Sequence, residues 1–383
     1  VEGGLRAHPE NLFAAFPPLA QLLALPPLAI GFDRVPALLH WLSFIAAASA
    51  VHALAHRLGA RPAAAACAAL SCLLLPVAAM GPGFPAAEGW FLAPLLAAIA
   101  VMMAPHHRHH ELLVGLLLGV AAAARLQALS WTLLVLALML WRRRSWRPLL
   151  SVVPAWLVGA APWWLKNLIL LRDPVAPVFW QREGLETLWR DAGALRLQGL
   201  SLLDCLRQLP DRIGPETISL LPLAVCALLA ARGGRDRRQL GVMVIFALPV
   251  WLCSGALLRF LIPVFVILLA MVASLARTRV TRVLAAAALL WCAGLGGWRS
   301  VALLRSVQSG SGLLESTAVA TGRLLPNDPM QAYLAAELLP PEARVLLVAE
   351  PRCFGFPRAF VAPSQHDPSP LRELWSLTTT STG

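Results

Sequence analysis

Between His110 and Arg142 lies an apolar stretch of about 30 residues, broken near its middle by one charge, Arg125. A single helix of that length would rise about 45 Å, too long for a hydrocarbon layer of ~30 Å. The stretch is flanked by His106-His107-Arg108-His109-His110 on one side and by Arg142-Arg143-Arg144 with Arg147 on the other. Short cationic segments nearly free of acids belong on one side of a membrane, the cytoplasmic one. The chain is therefore expected to go out and come back, in passes near 111–124 and 127–141 that turn at Arg125-Leu126-Gln127.

The same pattern recurs along most of the chain. Of its 383 residues, 58% are hydrophobic and only 14% charged, with mean hydropathy +0.68, which points to a polytopic membrane protein rather than a soluble one. The net charge of +12 falls in short clusters between apolar runs, not on one amphipathic face or tail. That distribution argues against nucleic acid and for anionic headgroups as partners. Arg57 to Arg61, Arg232 to Arg238, and Arg277-Thr278-Arg279 with Arg282 complete a set of five clusters, so an even number of crossings must separate each from the next. The spans that satisfy this are 36–57, 63–80, 87–104, the pair above, 149–165, 218–231, 240–255, 258–275 and 283–298. The expected fold class is thus an all-α polytopic membrane protein of about ten passes, several of them shorter than the roughly 20 residues of a clean span.

Three regions follow. Residues 1–35 hold an outer segment whose part near 13–31 carries Pro17-Pro18 and Pro26-Pro27, which suits an interfacial helix better than a straight span. Residues 36–298 form the transmembrane domain, with a long outer loop at 166–217 in which acids and bases balance. Residues 299–383 turn water-soluble, with Arg344 to Ala349 reading as a buried strand and Arg358 to Ala362 as a second extended piece, a small and incomplete α/β outer domain. Five of the seven cysteines lie in apolar runs, and no metal, redox or cofactor spacing appears; only Cys205 and Cys353 share the outer side and have the option of pairing.

Few residues carry chemistry. Glu88, beside Trp90 at the outer mouth of its pass, binds a cation or a sugar hydroxyl, or is merely solvated. Arg125 faces a cavity or an anion such as a phosphate, or makes a structural pair. Lys166 and Asn167 close the 149–165 pass, where the helix dipole alone favours a cation, yet Lys166 with Arg259 would also build a positive pocket for a lipid phosphate. His40 and His52 read as packed side chains, and the histidines around Arg108 as a turn rather than a metal site.

These residues carry a resemblance. Pro162-Trp163-Trp164-Leu165-Lys166-Asn167, followed by Asp173-Pro174-Val175 and Pro177, resembles the "PW-x-x-(K/R)N … (G)NP-V-x-P" signature of bacterial integral-membrane glycosyltransferases of the GT-C superfamily, kin of the protein mannosyltransferases and the lipid A aminoarabinose transferase; Asp173 stands where that signature has asparagine. His8 to Pro17 with Leu38-Leu39-His40-Trp41, Arg259-Phe260-Leu261-Ile262-Pro263 and Pro341 to Val348 are similar to further segments of the family. The resemblance implies an inverting transferase without a cofactor, in the bacterial inner membrane, with its long loop and C-terminus periplasmic. Its substrates would be a polyprenyl-phosphate-linked sugar and an acceptor glycan, lipid or protein. On it, Arg125, Lys166 and Arg259 bind the donor phosphate, Glu88 is the candidate catalytic carboxylate, and Trp163, Trp164, Asn167 and Asp173 line the cavity. The family's general base is an aspartate of the first outer loop, expected upstream of Val1, so the sequence as given is expected to lack it together with the first transmembrane helix. A transporter or flippase for a lipid-linked saccharide, or an inactive relative of the transferases, remains the alternative.

Overall fold

In the computed structural model the chain is described over residues 17–29, 35–74, 88–105, 107, 109–175, 216–253, 261–308, 340, 344–346 and 359–361. The described part is mostly helical. In chain order the helices are α1 (Leu19–Ala29), α2 (Val35–Arg57), α3 (Pro62–Leu73), α4 (Glu88–Met103), α5 (His110–Ala124), α6 (Ala128–Arg143), α7 (Leu149–Gly159), α8 (Ala161–Leu171), α9 (Glu216–Ala231), α10 (Arg235–Cys253), α11 (Ile262–Ala273) and α12 (Arg279–Gln308). Strands β1 (Arg344–Leu346) and β2 (Ala359–Val361) pair in parallel, Val345 opposite Phe360. The rest of the expected outer domain, the turn at 81–85, Cys205, Cys353, Arg259 and most of the 166–217 loop lie outside the described residues.

The chain divides into two compact units, one holding 17–174 and 193–302, the other 1–16, 175–192 and 303–383. In the first unit every residue of α11 is buried, and the helix packs against α2, α3, α9 and α10. Such a helix has no polar face and is a core element wherever it stands. Around it the outward faces are apolar too: Leu133, Leu150, Ile169, Phe246 and Leu290 are each at least 60% exposed. Among the described residues, one helix, Leu38–Arg57, qualifies by length and composition to cross a membrane, and a second if α7 and α8 count as one bent span.

The hairpin appears where charge parity and length placed it. α5 ends at Ala124, Arg125 to Gln127 make the turn, and α6 begins at Ala128. The basic clusters also meet at one end of the unit. Gly59 lies against the Arg277 guanidinium, and burial, with the Arg277 charge after it, lowers the pKa of Arg237. Arg142 Nη1 donates to Asp236 Oδ1 at 2.6 Å, Gln239 Oε1 at 2.5 Å and Met103 Sδ at 3.2 Å, while Arg143 Nε stands 4.0 Å from Glu111. Since α4 ends, α5 begins and α6 ends at this basic end, Glu88 and Arg125 lie at the opposite one.

The expected pass at 149–165 needs correction. It is two helices, α7 and α8, bent by 59° at Ala160. Pro162, in the first turn of α8, has no N–H for the Val158 carbonyl, which interrupts the ladder there. Lys166 and Asn167 therefore do not close a helix; α8 runs on to Leu171, and Arg172 ends it in the left-handed conformation at φ +56°. The dipole argument for Lys166 lapses, because the effect is confined to the last turn.

Close helix contacts rest on small residues. α5 and α7 touch along Gly115, Gly119 and Gly159, where a Cβ on Gly119 would stand 2.2 Å from the Trp156 carbonyl oxygen and one on Gly115 2.3 Å from that of Val152. Side chains at those two positions would hold the backbones apart, which is the logic of the glycine pair spaced by four.

Candidate functional site

The structure brings together Glu88 and Arg125, two residues singled out in the sequence, 37 positions apart. Arg125 Nη1 donates to Glu88 Oε1 in an ion pair whose side chains are only 15% and 9% exposed. Local structure presents both. Glu88 opens α4, where a carboxylate is favoured by the helix dipole, and Arg125 caps the C-terminus of α5, where a cation is favoured. α4 and α5 pack along each other, so the two termini meet. Charges this far from water persist only when paired, and each supplies the other's partner.

The next residue, Gly89, lets α2 approach α4. A Cβ there would fall 2.0 Å from Ser43 Oγ. Ser43 Oγ donates to the His40 carbonyl at 2.6 Å, and the His40 ring meets Phe44 edge-on at 4.9 Å. His40 and Ser43 are thus buried beside the helix turn that carries Glu88.

The signature segment on α8 divides by face. Trp163 and Asn167, one turn apart, are buried, Asn167 completely; Lys166 is half-buried, and Leu165, Leu168 and Ile169 point outward. α8 packs on α5, the helix that Arg125 closes. Trp164 turns back over the bend, its Nε1 donating to the Leu157 carbonyl at 2.7 Å. Asp173 lies half-buried just past the end of α8. Trp164→Phe, which removes that donor and keeps the ring, is expected to lower stability by about 1 kcal/mol. Thermal unfolding of the purified protein, with Leu165→Ala as the exposed control, measures it.

No protein family and no curated protein matches this chain. Among the described residues no group of three or more His, Cys, Asp or Glu is placed to hold a metal ion. His107 and His110 are tilted rings 5.7 Å apart, and His106 and Arg108 lie outside the described residues, as does Arg259. Sequence reasoning missed two things here. Arg142 joins α6 to α10 through Asp236, the one acid in the 232–238 cluster, which was its only signal. The Gly115-Leu116-Leu117-Leu118-Gly119 spacing was legible as a helix-contact motif.

Proposed function

We propose that this chain is a GT-C-like membrane glycosyltransferase of a bacterial inner membrane. It has about ten passes and a non-cytoplasmic α/β segment, and it takes a sugar from a polyprenyl-phosphate donor on the outer face. The observation that carries the reading is the Glu88–Arg125 pair, a carboxylate and a guanidinium held together at the end of the helical unit opposite its basic loops. The apolar outward faces supply the membrane setting, since helices apolar all round are buried in protein or lipid.

In this reading a hydroxyl of the acceptor attacks the anomeric carbon as the bond from that carbon to the phosphate oxygen breaks. The electron pair leaves with the polyprenyl phosphate, and the hydroxyl proton passes to a carboxylate. Arg125 and Lys166 stabilise the charge that grows on the leaving phosphate, and Glu88 holds Arg125 in place. Trp163 and Asn167, buried in α8, keep that helix packed beside the one that Arg125 closes.

One observation favours the transport reading: the α7–α8 break, because interrupted helices build the binding sites of many transporters. A single assay separates the two. Membranes bearing the chain are supplied with radiolabelled polyprenyl-phosphate sugar, and the label is followed into product. The transferase predicts label in a non-prenyl acceptor, falling about tenfold or more in Lys166→Ala, the loss expected of one stabilising contact to a developing charge. Equal transfer in wild type and variant removes Lys166 from the mechanism. Label that crosses the bilayer still attached to its prenyl carrier replaces the transferase with a flippase.

A further inference from the structure

At the basic end, the end of α6 and the turn that leads into α10 border an open concavity of about 950 Å³. Arg142, Arg143, Arg144, Arg232, Arg235 and Arg238 line it. Asp236 satisfies Arg142, and Glu111 stands near Arg143. Among the described residues no carboxylate pairs with Arg144, Arg232, Arg235 or Arg238, and all four are exposed. So many cations in one concavity repel one another unless an anion joins them. The walls are fixed as well. Arg144 is held in the left-handed conformation at φ +49°, its N–H on the Leu140 carbonyl, and the Arg237 guanidinium folds beneath the opposite turn to donate to the Gly233 carbonyl. Guanidinium groups match phosphate oxygens in paired geometry, and an arginine is more readily desolvated than a lysine.

What surrounds the cavity identifies the bearer of the phosphate. Trp141 lines its rim, and on the same face of α6 Ala137 and Leu133, one and two turns back, are exposed. From Arg238 on α10, Val242 follows half-buried, and then Ile245, Phe246 and Pro249 are exposed along one stripe. Two apolar tracks thus run down from a cationic basin, with a tryptophan at the junction, as at a membrane interface. A soluble phosphate has no use for them. We infer that this basin binds the headgroup phosphate of an anionic phospholipid, with the acyl chains along the outer faces of α6 and α10.

The site rests on the membrane setting proposed above and not on sugar transfer, so a chain without transferase activity still passes its test. The full chain, purified in a neutral detergent, is titrated with fluorescent phosphatidylglycerol and, separately, with fluorescent phosphatidylcholine, reading anisotropy. Phosphatidylglycerol is expected to bind about tenfold or more tightly. R144Q/R235Q/R238Q is expected to lose about tenfold or more of that affinity, whereas the charge-matched R57Q/R61Q/R282Q stays within about twofold. Arg-to-Lys replacement at the same three cavity positions is expected to bind more tightly than the glutamine triple, which separates lost charge from lost fold. Equal loss in the two glutamine triples, or equal binding of the two lipids, overturns the site. Millimolar inorganic phosphate that displaces the lipid completely assigns the basin to a small anion and overturns the lipid.

Discussion

Arg125→Ala is expected to destabilise the protein by about 3 kcal/mol, the low end of the cost of stripping one partner from a buried ion pair. Glu88, 7% exposed at the head of α4, would be left as a carboxylate with the Arg125 guanidinium gone and little water to replace it. Removing both charges, in Glu88→Gln with Arg125→Met, is expected to restore stability to within about 1 kcal/mol of the wild type, because neither group is then orphaned. The contrast divides structure from chemistry. Under the proposed function the double variant folds and still fails to transfer sugar. Unfolding curves beside the transfer assay report both, and a double variant that is stable and fully active would leave the pair a purely structural role.

Gly119→Val is the second large effect, again about 3 kcal/mol, in the upper range for overpacking. The group that its Cβ would meet at 2.2 Å is a backbone carbonyl, so no side chain can swing aside and α5 must lift off α7. Gly294 makes the comparison, since a Cβ there meets nothing within 4 Å. Gly294→Ala should be neutral or slightly stabilising, through the lower conformational freedom of alanine in the unfolded chain. Loss of monodispersity and a fall in unfolding temperature for the first variant, with none for the second, would establish that the contact depends on those missing side chains.

The hairpin turn at Arg125 was legible because two constraints coincided there: a stretch too long for one span, and like-charged flanks. Neither needs knowledge of tertiary packing. The meeting of Glu88 with Arg125 was not legible, for it depends on how α4 lies along α5, and a charge in an apolar run says only that some partner exists. The bend at Ala160 was hidden for another reason. Hydropathy runs smoothly from Leu149 to Leu165, and the break comes from one missing N–H, at Pro162. Trp163 and Asn167, expected to line a cavity, are buried in α8, and the place of Lys166 in that helix was misjudged because the polar pair was taken for an exit from lipid. The arginine clusters were each visible; that two of them face one another across a hollow belongs to the fold.

The elbow between α7 and α8 has a cost in reach. Two helices of 11 residues set in line would advance about 33 Å, but at 59° the second contributes only about half its length along the first, and the pair advances about 25 Å. In the membrane setting proposed above, an acyl layer ~30 Å deep would then pinch inward beside Lys166 or admit water to it. Under the proposed function, either adjustment would give a long prenyl chain a shortened path by which its polar head arrives at that side of the protein.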